Sequence, residues 1–175
     1  MTANTRDEKR NKVKHNYKDG IFRNLFNDEK SLLSLYNAVA GSSYPPDTKV
    51  EIVTLENAIF GDIKNDLSFI IEDRLIVFIE HQSTVNPNMP LRILAYIAKQ
   101  MEKYITSAVY SNKLIKVPTP EIYVFYNGMQ EQPLEQELKF SDAFITKCDK
   151  IFVELKVKVI NINYEKGAEI LKRCI

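Results

Sequence analysis

The sequence predicts a one-domain α/β protein in which a central sheet is flanked by helices. Three observations carry that prediction. Residues 67–71 and 75–79 are two β-rich apolar runs separated only by Glu72-Asp73-Arg74. Residues 89–110 repeat apolar side chains at helical spacing, and residues 153–162 alternate Val and Leu with Glu and Lys. The 175 residues suit a single domain, and an apolar content of 45% is enough to build its core.

The first element, residues 20–40, reads as helix in two pieces. Ile21, Phe22, Leu25 and Phe26 mark one, and Leu32, Leu35, Tyr36 and Val39 the other. Asp28 is the expected N-cap of the second piece and Gly41 its stop. Residues 42–48, with Tyr44-Pro45-Pro46-Asp47, are loop, and residues 50–60 fit strand or helix. In the hairpin, a three-residue loop sets Ile71 opposite Leu75 and, carried on, Asp66 opposite Glu80. Residues 67, 69 and 71 then share an apolar face with 75, 77 and 79. Both faces of the pair are mostly apolar, so its expected place is central in a covered sheet.

Asn88 and Pro90 open a helix over 89–110. Leu94, Ile97, Met101, Tyr104, Ile105 and Ala108 form its expected buried stripe, while Arg92, Tyr96, Gln100 and Lys103 line another face. A proline loop at 117–120 leads to a strand over 122–126 that ends at Asn127-Gly128, and a half-buried strand follows over 153–162. Helical pattern resumes at Glu165 and is unfinished at Ile175, which predicts a further C-terminal portion.

Charge and motif content narrow the function. A net charge of +1 excludes a strongly basic nucleic-acid wrapper, yet the charge is uneven. Residues 1–18 carry six basic residues against Asp7 and Glu8, a local +4 that reads as a flexible basic arm ahead of a domain at 19–175. Residues 89–116 hold Arg92, Lys99, Lys103, Lys113 and Lys116 against Glu102 alone, again +4. No apolar run approaches the roughly 18 residues of a membrane span, and the polar N-terminus is no secretory signal. Cys148 and Cys174 give no disulfide framework, so a cytoplasmic protein with reduced thiols is expected. The chain has neither glycine-rich phosphate loop. His15 and His81 stand far from either Cys, against a zinc site, and Ser83 lacks the glycines of a hydrolase elbow.

What remains is an acidic pair. Asp66 and Glu80 sit at the ends of two strands otherwise made of core residues. Directly opposed, their β-carbons would be roughly 4.5–5.5 Å apart, where two ionised carboxylates repel and resist desolvation. A divalent cation removes that cost, and hard oxygen ligands favour Mg2+ or Mn2+. Gln82, two residues beyond Glu80, would share its face and orient a water or a phosphate oxygen. The plainer alternative is that Asp66 starts a strand at the solvent edge and Glu80 pairs with a basic residue.

Asn65-Asp66, then Glu80-His81-Gln82-Ser83-Thr84, then Met89, Arg92 and Tyr96 on the next helix resemble the recombination-promoting nuclease (Rpn) family, also labelled transposase, of the PD-(D/E)XK nuclease superfamily. The resemblance runs from about Asp19 to the chain end. It takes in Asp19-Gly20-Ile21-Phe22-Arg23, Phe125-Tyr126-Asn127-Gly128, the run from Leu138 to Phe144, and Val159-Ile160-Asn161-Ile162-Asn163. It implies a restriction-endonuclease-like core of order α-β-β-β-α-β with a central mixed sheet, and magnesium-dependent hydrolysis of DNA phosphodiesters. Carried over, Asp66 and Glu80 would bind the metal, with the His81 backbone carbonyl as a further ligand. Gln82 stands where the superfamily's usual lysine would be, and offers a dipole where lysine brings a charge. Asp19 would be the acidic residue of the first helix, unless it is simply an N-cap, and Glu56 is a weaker candidate for the same duty. Arg92 would neutralise the scissile phosphate, with Tyr96 and Lys103 along the same DNA-facing rim, unless this is an ordinary solvated face carrying one half-buried Tyr, the preferred reading for Gln100 and Lys103.

The expected partner is therefore DNA, with a homodimer left open and no membrane. Two other classes stay open from the residues alone. One is a non-catalytic DNA-binding module on a decayed nuclease fold, which the Gln82 departure suits. The other is a protein-interaction domain in which Asp66 and Glu80 are merely salt-bridged. A transposase proper lacks an evident third acidic position.

Overall fold

The computed structural model describes residues 26, 28–53, 67–81, 84–105, 107–163, 170 and 172, with the backbone alone for 77–81, 107 and 108. The expected arm at 1–18, the helical piece at 20–25, Asp19, Glu56, Asp66 and Gln82 lie outside the described residues.

Helix α1 spans Glu29–Ala40. Asp28 caps it as the sequence predicts: one carboxylate oxygen accepts the backbone N–H groups of Lys30 and Ser31, both at 3.0 Å. Gly41 ends it in the left-handed conformation, at φ 65°. Strand β1, Val50–Ile52, then precedes the hairpin of β2, Leu67–Ile71, and β3, Arg74–His81.

The hairpin turn is one residue shorter than the sequence suggests. Ile71 pairs with Arg74 across a two-residue turn, and Glu72 takes a positive φ of 51° to close it. Every pairing moves by one as a result: Ile70 faces Leu75 and Leu67 faces Phe78. Leu67, Phe69 and Ile71 therefore share a face with Ile76, while Leu75 belongs to the other side. The three-residue loop and the pairing of Ile71 with Leu75 are corrected accordingly, while the expected opposition of Asp66 and Glu80 rests on Asp66, which lies outside the described residues.

Helix α2 spans Met89–Met101 and gives way to short 3-10 turns at Glu102–Tyr104 and Ser107–Tyr110. The continuous helix to residue 110 does not form. Ile105 is already extended, at φ −82° and ψ 91°, and the β-branched Ile105-Thr106 pair is a poor helix continuation. The buried stripe is also turned from the expected one. Met89, Ile93, Tyr96 and Gln100 face the sheet, Ile97 and Met101 flank them, and Ile105 is exposed. The tight i, i+4, i+7, i+11 spacing of those four decides the face.

Strands β4, Thr119–Tyr126, β5, Glu135–Lys139, and β6, Lys156–Asn161, complete one six-stranded mixed sheet of order β1-β2-β3-β4-β6-β5. β3, β4 and β6 run parallel, and the other neighbours are antiparallel. From α1 to β4 the element order is α-β-β-β-α-β. The α1 side is filled by Leu32, Leu35, Tyr36, Phe69, Ile76, Phe125 and Ile160. The α2 side is filled by Ile93, Ile122, Val124, Tyr126, Val157 and Val159. The alternation of β4, with Tyr123 and Phe125 on one side and Ile122, Val124 and Tyr126 on the other, is what a doubly covered strand requires. Ile170 and Lys172 are helical, within the stretch expected to be helix from Glu165.

β5 has no counterpart among the expected elements. Its Glu-Gln-Glu-Leu-Lys sequence lacks a strand's apolar rhythm, and it forms an edge stitched to β6 by Glu137–Lys156 (3.2 Å) and Glu135–Lys158 (3.0 Å). β6 starts at Lys156 rather than 153 because Glu154 is used differently. Its carboxylate accepts the Ser141 hydroxyl at 2.6 Å and the Ser141 N–H at 3.1 Å, and the hydroxyl bond holds it below the ordinary carboxylate range.

Candidate functional site at the carboxyl edge of the parallel strands

The three parallel strands end together. Glu80, Phe125 and Ile160 lie in one register row and His81, Tyr126 and Asn161 in the next. Ligands of open α/β sheets bind outside such carboxyl ends, where loops diverge and no further strand backbone competes. Three of the sequence strings singled out above, at 80–81, 125–128 and 159–163, thus meet at one edge although they are spread over more than eighty positions.

The edge is held by amides. Buried Asn161 donates its side-chain N–H to the Gln132 carbonyl at 3.0 Å, and its oxygen accepts the Asn163 N–H at 3.1 Å. Asn163 donates in turn to the Gly128 carbonyl at 2.8 Å, and the Tyr126 hydroxyl to the Gln130 carbonyl at 2.9 Å. These bonds clamp the 127–134 loop onto the end of β6. Their role is to fix the rim, since each group is already satisfied within the protein.

On the helix side, Asn86 shapes the entry to α2: its side chain accepts the Asn88 N–H at 2.9 Å and its carbonyl the Met89 N–H at 3.1 Å. Arg92 follows in the first turn, half-buried and in no ion pair among the described residues. The expected rim of Arg92, Tyr96 and Lys103 is not assembled. Tyr96 is 6% exposed and packs into the α2-side core, so its ring does not present a surface to DNA. Gln100 is buried beside it. Lys103 lies eleven residues after Arg92, beyond the end of α2 and about 16 Å along the helix direction, with its ammonium over the Tyr104 ring at 5.4 Å. Arg92 alone of the three is a surface residue near the edge.

The opposite end of the sheet holds a polar cluster that the sequence reading missed. Glu121 on β4 accepts the hydroxyls of Tyr36 and Tyr123, each at 3.0 Å, on one carboxylate oxygen and pairs with Arg74 through the other. Burial, with the Glu121 bond and charge added, pushes Tyr36 up to about 12 and raises Tyr123 in the same way. A lone acid between Pro120 and Ile122 in an otherwise apolar strand was the available signal. Beside this end, an open cleft of about 470 Å³ is lined by Tyr44, Asp47, Lys49, Glu51, Ile70 and Glu72, among others.

Among the described residues, no three His, Cys, Asp or Glu side chains are grouped to share a metal ion, and no helix is long and apolar enough to cross a membrane. Compared with protein-family models, with curated proteins and with solved structures, the chain matches none of them.

Proposed function

We propose that this chain is a magnesium-dependent DNA endonuclease with a PD-(D/E)XK core. The observation that supports it most is the element order α-β-β-β-α-β with β3 and β4 parallel, which brings Glu80, Phe125–Tyr126 and Asn161 to one carboxyl edge. That is the order the sequence resemblance implies, and it arises here without a three-residue hairpin or a long second helix.

In this proposal Asp66, Glu80 and the His81 carbonyl hold the ion. The donor set is all oxygen and suits Mg2+ or Mn2+ better than zinc. Bound magnesium would supply Lewis-acid chemistry, acidifying a water and polarising a phosphoryl oxygen. Gln82 orients the attacking water by hydrogen bonding, and Arg92 neutralises charge that builds on the phosphate. Asp19 adds an acidic group from the segment ahead of α1.

Nicking of supercoiled plasmid DNA tests the proposal. Activity should require Mg2+ or Mn2+ and vanish in Asp66→Ala. Unchanged nicking by that variant sinks the assignment, and salt-sensitive DNA binding without any metal-dependent cleavage selects the non-catalytic binding module instead.

A further inference from the structure

The connector between α2 and β4 leaves large side chains in solvent with no packing role. Tyr110 is 89% exposed and Leu114 82%, and Ile105 is 59% exposed. Lys103, Lys113 and Lys116 are exposed on the same connector, and no Asp or Glu occurs from residue 103 to residue 120. The acids on either side of this stretch are already paired, Glu102 with Lys99 and Glu121 with Arg74, so they do not offset the lysines. Among the described residues none of these three lysines makes an ion pair. Lys103 already covers the Tyr104 ring, which leaves Tyr110 as the open aromatic face.

We propose that this connector is a binding site for single-stranded DNA, in which the Tyr110 ring stacks on an unpaired base and Lys103, Lys113 and Lys116 neutralise the flanking phosphates. An exposed aromatic among unpaired cations is the chemistry that single strands recognise, because every base has a π-face and every nucleotide a charge. Duplex DNA fits less well, since its bases are already stacked on one another. An anionic membrane fits less well too. The connector is two short 3-10 turns followed by chain leading into Pro118, and it builds no continuous amphipathic helix to lie in an interface. The site stands at the far end of α2 from the carboxyl edge, so it would hold a strand away from the cutting position. That the strand is DNA rests on the nuclease proposal; stacking and charge neutralisation do not.

The test is fluorescence anisotropy of the full chain with a labelled oligothymidylate of about twenty nucleotides, in EDTA so that no cleavage occurs. Tyr110→Ala should weaken binding about tenfold, and Tyr110→Phe should restore it. The double variant Lys113→Ala/Lys116→Ala should lower the slope of log affinity against log salt by about 1.4. Wild-type affinity in Tyr110→Ala overturns the site, as does a duplex of equal length whose binding falls as much in Tyr110→Ala as that of the single strand. Preferential capture by phosphatidylserine vesicles overturns it as well. An oligouridylate bound more tightly than the oligothymidylate overturns the assignment to DNA. Loss of metal-dependent nicking in Asp66→Ala and loss of strand binding in EDTA by Tyr110→Ala report on the two proposals separately.

Discussion

The Tyr36 hydroxyl donates to Glu121 at 3.0 Å, tying helix α1 to strand β4 across 85 positions of sequence. Tyr123 donates to the same carboxylate oxygen, and Arg74 at the hairpin turn pairs with the other. One acid thus joins α1, β3 and β4 at the end of the sheet away from the carboxyl edge. Its bonds satisfy two tyrosines that are otherwise buried among apolar side chains.

This cluster has an alkaline signature. A folded-state value of about 12 for Tyr36 stands above the ordinary tyrosine value near 10, so the unfolded chain loses its proton first as pH rises. The stabilisation is complete below about pH 10 and is lost as pH climbs toward 12. Tyr123 acts in the same direction. Melting temperature should therefore fall over that window, and the Tyr36→Phe/Tyr123→Phe variant should flatten the fall. Tyr36→Phe alone should cost about 1.5–3 kcal/mol at neutral pH, the worth of a hydrogen bond to a charged acceptor. A wild-type profile in the double variant would remove the cluster as its cause.

Arg92 and Tyr96 lie one turn apart on α2 yet should separate by phenotype. Arg92→Ala should leave stability within about 0.5 kcal/mol and lower plasmid nicking about 100-fold. Tyr96→Ala empties a site in the core and should cost about 3–5 kcal/mol of stability. Parallel denaturant titration and nicking assays distinguish the two. An Arg92→Ala enzyme that cuts at the wild-type rate would remove Arg92 from the phosphate.

Gln82→Lys should raise nicking about tenfold, because an ammonium adds charge where glutamine offers only a dipole. Single-turnover rates at saturating magnesium measure it. A lower rate in the variant would show that Gln82 does not occupy the water-orienting position.

Much of this protein was legible before any tertiary contact was considered. Asp28, Gly41 and the Leu32/Leu35/Tyr36/Val39 stripe define α1, because a cap, a stop and a helical face are local properties. The two runs around residue 72 define a central hairpin, because only a doubly covered strand is apolar on both faces. Glu80 was singled out by residue type and spacing, and the strings at 125–128 and 159–163 by the family resemblance alone.

The sequence alone determined which segments are helix or core strand and which residues are chemically suspicious. Tertiary structure decided the rest. The turn length set by Glu72 fixed the register, since one residue more or less exchanges the faces of a strand. Packing against β4 and β6 chose Tyr96 and Gln100 for the buried side of α2, where pattern alone offered two stripes. The polar β5 is a strand through its backbone ladder with β6, with Leu138 packed on the core and its glutamates paired to the lysines of β6. The gathering of residues 80, 125 and 160 into one row is likewise non-local. It follows from three parallel strands ending together, and no spacing along the chain encodes it.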